Sequence, residues 1–136
     1  MAQVEMEIES LRRSLKSDQW TINLKEKGAE RYLAIWVDAA QADAIAVKLQ
    51  GVSVSRPSTH DLLVQLLRLW GANVESVIVC DLKNDTFYAK IILRVDVGKL
   101  EIDSRPSDAL ALAVRVGAPV FVEGAILDQA GIAVGA

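Results

Sequence analysis

The chain opens on strict alternation. Val4, Met6 and Ile8 are apolar, while Glu5, Glu7 and Glu9 are acidic, a period of two that predicts a half-exposed strand. Trp20, Ile22 and Leu24 alternate in the same way with Thr21, Asn23 and Lys25. Glu26-Lys27-Gly28-Ala29 reads as a turn, and Tyr32 to Val37 is a nearly continuous apolar run that predicts a buried strand. Segments 19–26 and 30–37 are therefore expected to form a hairpin. The period then changes. Ala42, Ile45, Ala46 and Leu49 share one face of a helix predicted from Ala39 to Gln50, with Asp38 placed to cap it and Gly51 to end it. Val52 and Val54 read as briefly extended. A second helix is predicted from about Ser58 to Trp70, with Leu62, Leu63, Leu66, Leu67 and Trp70 in a broad apolar stripe.

Strands return at Val74 to Leu82, Thr86 to Val95 and Lys99 to Asp103, separated by turns at Lys83-Asn84-Asp85 and Asp96 to Gly98. Together they predict an antiparallel meander. A third helix, Pro106 to Val116, is apolar all round at its centre and is expected to be deeply buried. Gly117 and Pro119 break it. A short strand at Val120 to Val122, a short helix at Glu123 to Ala130, Gly131 and a frayed tail complete the chain. The order lacks the strand–helix alternation of a parallel doubly wound sheet. The expected fold is α+β: one domain with a mixed, largely antiparallel sheet and about four helices.

Composition narrows the function. Half of the 136 residues are apolar (51%) and 24% are charged, the profile of a compact globule. Few aromatics (5%) mean an aliphatic core. The small share of polar surface predicts a homodimer or higher homo-oligomer. Fifteen Lys and Arg against 18 Asp and Glu give a net charge of −3, which argues against a protein held on nucleic acid by a general basic surface. Lys25, Lys27 and Arg31 could make a small basic patch, whereas Arg12, Arg13 and Lys16 read as a solvated face. The single cysteine, Cys80, allows no internal disulfide or multi-cysteine zinc site, and its apolar strand makes it a core residue. No apolar run exceeds six residues, as in Ala109 to Val114, so no membrane span is expected. The first ten residues lack a signal-peptide core, and the expected compartment is the cytoplasm.

One tetrapeptide occurs twice, each time after an extended segment and before an apolar helix. Ser55-Arg56-Pro57-Ser58 leads into Thr59-His60-Asp61-Leu62-Leu63, and Ser104-Arg105-Pro106-Ser107 leads into Asp108-Ala109-Leu110. Proline keeps the preceding arginine out of helical geometry and is itself tolerated in the first helical turn. Ser58 or Ser107 can then cap, with Asp61 or Asp108 in the first turn against the helix dipole. Capping leaves the arginines unexplained. Beside a helix N-terminus a cation is misplaced unless an anion shares that end. The anion is either a carboxylate of the chain, Asp103 or Glu101, or a bound phosphate.

His60 is the only histidine. Glu101 and Asp103 lie on one face of a strand, and Asp108 follows after a turn. Three carboxylates, a histidine and two arginines have the chemistry of a metal-assisted phosphodiesterase. Carboxylates hold a hard divalent ion, Mg2+ or Mn2+; arginine neutralises phosphate; histidine moves a proton. Glu101, Asp103 and Asp108 are the candidate ligands, and no organic cofactor is expected.

At these residues the sequence resembles the bifunctional nuclease family. The matching stretches are Arg31-Tyr32-Leu33-Ala34-Ile35-Trp36, the Ala-rich helix to Gln50-Gly51, and Arg56-Pro57-Ser58-Thr59-His60-Asp61-Leu62-Leu63. They continue with Thr86-Phe87-Tyr88-Ala89, Ile102-Asp103-Ser104-Arg105-Pro106-Ser107-Asp108-Ala109 and Pro119-Val120-Phe121-Val122-Glu123. They span about residues 4 to 132 in the family's order. The resemblance implies a bare family domain with a mixed α/β fold that assembles as oligomers. It also implies hydrolysis of phosphodiester bonds in DNA, RNA or both, with nucleic acid as substrate. His60, Asp61, Asp103, Arg105 and Asp108 occupy the matching motif positions and are the candidate catalytic group, with Arg56 and Arg105 as phosphate clamps. The competing expectation is a non-catalytic oligomeric module that binds a small anion, nucleotide or protein partner. Convergence of His60, Asp103 and Asp108 in one open cleft favours the enzyme; carboxylates each buried against an arginine favour the module.

Overall fold

The computed structural model describes residues 2–133. Its strands are β1 (Gln3–Arg13), β2 (Trp20–Glu26), β3 (Arg31–Val37), β4 (Asn73–Lys83), β5 (Thr86–Val95), β6 (Gly98–Ser104), β7 (Val120–Glu123) and β8 (Ile132–Ala133). They form one sheet in the order β6-β5-β4-β7-β1-β2-β3-β8. The helices are α1 (Ala39–Leu49), α2 (Thr59–Leu69), α3 (Pro106–Val116) and α4 (Gly124–Ala130). The α+β expectation holds. The hairpin β2–β3 and the meander β4–β5–β6 pair antiparallel in the expected order. One parallel pair interrupts the antiparallel pattern: β7 enters between β4 and β1, with Val77 opposite Val120 and Val79 opposite Val122.

Register explains the core. Met6, Val120, Val77, Ile91 and Ile102 are successive partners across β1, β7, β4, β5 and β6. The first four are buried. Helix α3 lies over β4 and β5, with Ala109, Leu110, Ala111, Leu112 and Ala113 buried, as its apolar run predicts. Alanines alternating with leucines let the helix approach the sheet closely. Helices α1 and α2 pack on α3, and α4 packs against β3, β4 and β7.

Four expectations need correction. Strand β1 runs on to Arg13, past the region of alternation. A bulge between Ile8 and Ser10 adds a residue, so Ile8 faces Leu24 and Leu11 faces Ile22 although three positions separate them. Period two is broken in the sequence but preserved on the face. The tail is not frayed at its start: Ile132 and Ala133 pair with Tyr32 and Arg31, while residues 134–136 lie outside the described residues. Val52 and Val54 are in the exposed loop between α1 and α2 and form no strand. The stripe on α2 is not its buried face. Val64 is buried and Leu67 half-buried towards α3, whereas Leu62, Leu63, Leu66, Leu69 and Trp70 are exposed.

Candidate functional site

The two copies of the tetrapeptide start their helices in different phases. In the first, Ser58 is the N-cap, extended at φ −79° and ψ 177°, and α2 begins at Thr59. In the second, Arg105 is the N-cap, extended at φ −69° and ψ 145° as a residue before proline must be, and α3 begins at Pro106. Ser107 therefore does not cap; it is buried within the first turn. The shift of two residues matches the two extra residues Thr59-His60 in the first copy. As a result Asp61 and Asp108 both occupy the third helical position, where a carboxylate meets unpaired N–H groups and the positive end of the dipole.

The two aspartates are used differently. Asp61 closes a capping box: its Oδ2 accepts from the Ser58 N–H at 2.9 Å and from Ser58 Oγ at 3.0 Å. Its Oδ1 accepts from Arg115 Nε at 2.6 Å. The Ser58 N–H bond and then the Arg115 guanidinium hold the Asp61 carboxyl at about 2. Arg115 is nearly buried and also donates to the carbonyls of Ala44 and Ala111, both at 2.9 Å, so one guanidinium ties α1, α2 and α3 together. Asp61 is thus committed to holding the fold around the site.

Asp108 joins the other two candidates. Its Oδ1 meets His60 Nε2 at 2.9 Å, and its Oδ2 accepts from Arg105 Nε at 2.8 Å. Burial pushes the Asp108 carboxyl up, but the bonds from Arg105 and His60 outweigh it and leave the group below its ordinary value. An ionised Asp108 makes Nε2 of His60 the protonated nitrogen and leaves Nδ1 as the one able to accept a proton. Arg105 pairs with Asp108 rather than with Asp103 or Glu101.

These residues line a cleft of about 790 Å³. The first turns of three helices meet there: Asp38 and Gln41 of α1, Ser58 to Asp61 of α2, and Arg105 with Asp108 of α3. Three positive helix ends around one cavity favour an anion in it. Ala44, Val47, Leu63, Ile91 and Leu112 supply an apolar wall. His60 and Asp108 meet in this cleft; Asp103 borders it from β6, where the pairing of its neighbours Ile102 and Ser104 with Ile91 and Ala89 turns its side chain towards the other face of the sheet. Asp103 has no cation within bridging distance among the described residues.

Other candidates stand apart. Glu101 is bonded to Lys90 at 3.4 Å, and Arg56 is exposed outside the cleft lining. Glu101, Asp103 and Asp108 do not come together as the expected holder of Mg2+ or Mn2+. Among the described residues no three His, Cys, Asp or Glu side chains are grouped as a metal ion needs. Asp108 is spent on His60 and Arg105, and the three candidate ligands are not grouped, so this donor set does not fit a divalent ion. The basic patch is neutralised too: Lys27 pairs with Glu5 at 3.0 Å, and Arg31 with Glu26 at 2.9 Å and Asp128 at 3.0 Å. Cys80 is half-buried, and burial pushes its thiol up, which makes it a poor nucleophile. The residue the sequence reading missed is Arg115. Its signal was present: after Asp108 it is the sole charged residue of an otherwise apolar helix.

Among the described residues no helix is long and apolar enough to cross a membrane. A family model described as the bifunctional nuclease domain matches residues 22–135. An uncharacterized protein of Mycobacterium tuberculosis is 39% identical over 128 residues, which is 94% of this chain and 76% of that protein. Bifunctional nuclease 1 of Oryza sativa subsp. indica and the bifunctional nuclease of Oryza minuta are each 25% identical over 113 residues. That match spans 80% of this chain but 34% of either rice protein.

Proposed function

The chain belongs to the bifunctional nuclease domain family, and from that premise we propose that it is a phosphodiester hydrolase acting on DNA, RNA or both in the cleft at the three helix starts. The observation that carries the reading is the hydrogen-bonded series Arg105–Asp108–His60 at the cleft wall. Asp108 fixes the tautomer of His60 and stabilises the imidazolium that forms when Nδ1 takes a proton from the attacking water. Arg105 uses Nε on Asp108, and its two terminal nitrogens remain for the phosphate oxygens. The helix N-termini add backbone N–H donors to the same anion. Asp61 acts at one remove, as a positioning residue that anchors the first turn of α2 on Arg115. No step is routed through a divalent ion. We assign the activity to the cytoplasm, on the evidence of the single cysteine.

The alternative, an anion-binding module without catalysis, draws support from the two arginine–carboxylate pairs, Asp61 with Arg115 and Asp108 with Arg105. One experiment separates the readings. Nuclease activity is measured on single- and double-stranded substrates, with and without Mg2+ or Mn2+, for the wild type, His60→Ala and Asp103→Asn purified side by side. The expected result is activity that falls by about 10²–10⁴-fold in folded His60→Ala. Absent activity, or activity indifferent to both substitutions, leaves the binding module.

A further inference from the structure

The cleft is poorly supplied with charge for a nucleic-acid backbone. Two arginines line it, Arg105 and Arg115. Arg115 is fully engaged: its side chain is 6% exposed, and it donates to Asp61, Ser58 and the carbonyls of Ala44 and Ala111. Arg105 is the open cation, its side chain 65% exposed and bonded among the described residues through Nε alone. Carboxylates occupy the α1 side. Asp38 gives one oxygen to the Gln41 N–H at 2.8 Å, and Asp43 makes no ion pair among the described residues. Asp108 first, and Asp38 from further off, raise the Arg105 guanidinium above its ordinary value, so the charge of Asp38 reaches the place where a phosphate on Arg105 would lie. A cleft of about 790 Å³ is the size that takes one small ligand. No aromatic side chain lines it among the described residues, so successive bases have no stacking platform there. Trp70 is exposed, but it follows the far end of α2, about 16 Å along the helix from Thr59.

We propose, on the reading that this cleft hydrolyses phosphodiesters, that its substrates are short single-stranded fragments, dinucleotides above all, held by one phosphate on Arg105 and one base on the apolar wall. Asp38 and Asp43 set the limit on length. A dinucleoside monophosphate brings one negative charge to one open guanidinium, and the carboxylates then face its neutral sugar and base. A longer strand brings further phosphates into the same space. Those on the α1 side meet Asp38 and Asp43 inside a cleft with an apolar wall, where repulsion is screened less than on an open surface. The wall of Ala44, Val47, Leu63 and Leu112 takes the flat face of a base only when that base is unstacked, so a duplex is refused on a second count. The net charge of −3 acts in the same direction, because it repels a polyanion more than a molecule with a single charge.

The test is hydrolysis of a dinucleoside monophosphate and of a single strand about twenty nucleotides long, read as kcat/KM per bond at about 50 and 200 mM salt. The dinucleotide is expected to be favoured by at least about tenfold per bond at the lower salt. A strand held by one phosphate loses about threefold across that salt range, whereas a strand held by about six loses more than about a hundredfold. The long strand is expected to lose no more than about threefold here. Asp43→Lys, at an exposed position of α1, is expected to narrow the preference for the dinucleotide by at least about fivefold and to steepen the salt dependence of the long strand. A long strand cleaved more efficiently per bond than the dinucleotide, or a loss of about a hundredfold with salt, overturns the proposal and leaves the hydrolase reading standing. So does an Asp43→Lys protein, folded by circular dichroism, whose preference is unchanged. If neither substrate is hydrolysed, the hydrolase reading fails, and calorimetric binding of the same two molecules decides what the cleft is built to hold. Tighter binding of the dinucleotide per site then supports a single-phosphate cleft; tighter binding of the long strand, or no binding of either, overturns it.

Discussion

His60 and Asp108 lie 48 positions apart in the chain and 2.9 Å apart in the structure. Replacing Asp108 with Asn keeps the shape but loses the charge that holds the imidazole's proton on Nε2. Activity is expected to fall by at least about 10²-fold with the secondary structure intact, read as kcat alongside circular dichroism. Asp61 behaves differently, because its work is structural. Its folded carboxyl sits at about 2 against an ordinary 3.8, so its contribution to stability is complete above about pH 4 and is lost as pH falls towards 2. Asp61→Asn should cost about 1–2 kcal/mol at neutral pH by urea unfolding, and the variant's stability should fall less steeply between pH 4 and 2 than the wild type's. His60, Asp61, Asp103, Arg105 and Asp108 all stood out in the sequence by residue type and motif. Their partners did not, since two identical tetrapeptides carried no sign that one aspartate would turn to a histidine and the other to Arg115.

Most elements were legible because each carries its own local instructions. Proline before the helices, glycine after them and period-two strands placed nearly every boundary within a residue or two. The tight connection between β4 and β5 shows both the success and its limit. Asn84 and Asp85 both take positive φ, 51° and 61°, the left-handed geometry that suits a two-residue hairpin loop. Asp85→Gly removes the side-chain penalty for that geometry and should raise stability by about 0.5–1 kcal/mol, seen as a higher unfolding midpoint. At Gly131 the constraint is space. A Cβ there would lie 2.4 Å from the Leu127 carbonyl oxygen, so Gly131→Ala should destabilise the junction of α4 and β8 and lower the melting temperature. Helix α2 was found but its buried side was misread. The same periodicity serves a face packed on α3 and a face left bare, and hydrophobicity alone does not say which is which.

At the scale of the molecule, burial is concentrated where α3 crosses β4 and β5. Leu110 is buried at that crossing, and Leu110→Ala should cost about 2–5 kcal/mol in denaturant unfolding, the combined loss of transfer energy and packing. The molecule is asymmetric in how it finishes its sheet. One side is closed by β8 and α4, while the other ends at β6 with its apolar row open. What the sequence alone determined was the local grammar: the type and order of the elements, their caps and turns, an aliphatic core, and a cluster of acid, histidine and arginine motifs at two helix starts. What only the tertiary structure decided were the long-range juxtapositions. These are β7 inserted parallel between β4 and β1, the union of His60 with Asp108, the capture of Asp61 by Arg115, and the choice of which face of α2 meets α3. Local patterns arise from interactions within a turn or a strand, so a single segment displays them. A juxtaposition depends on which surfaces the closed chain brings together, and no segment carries that information by itself.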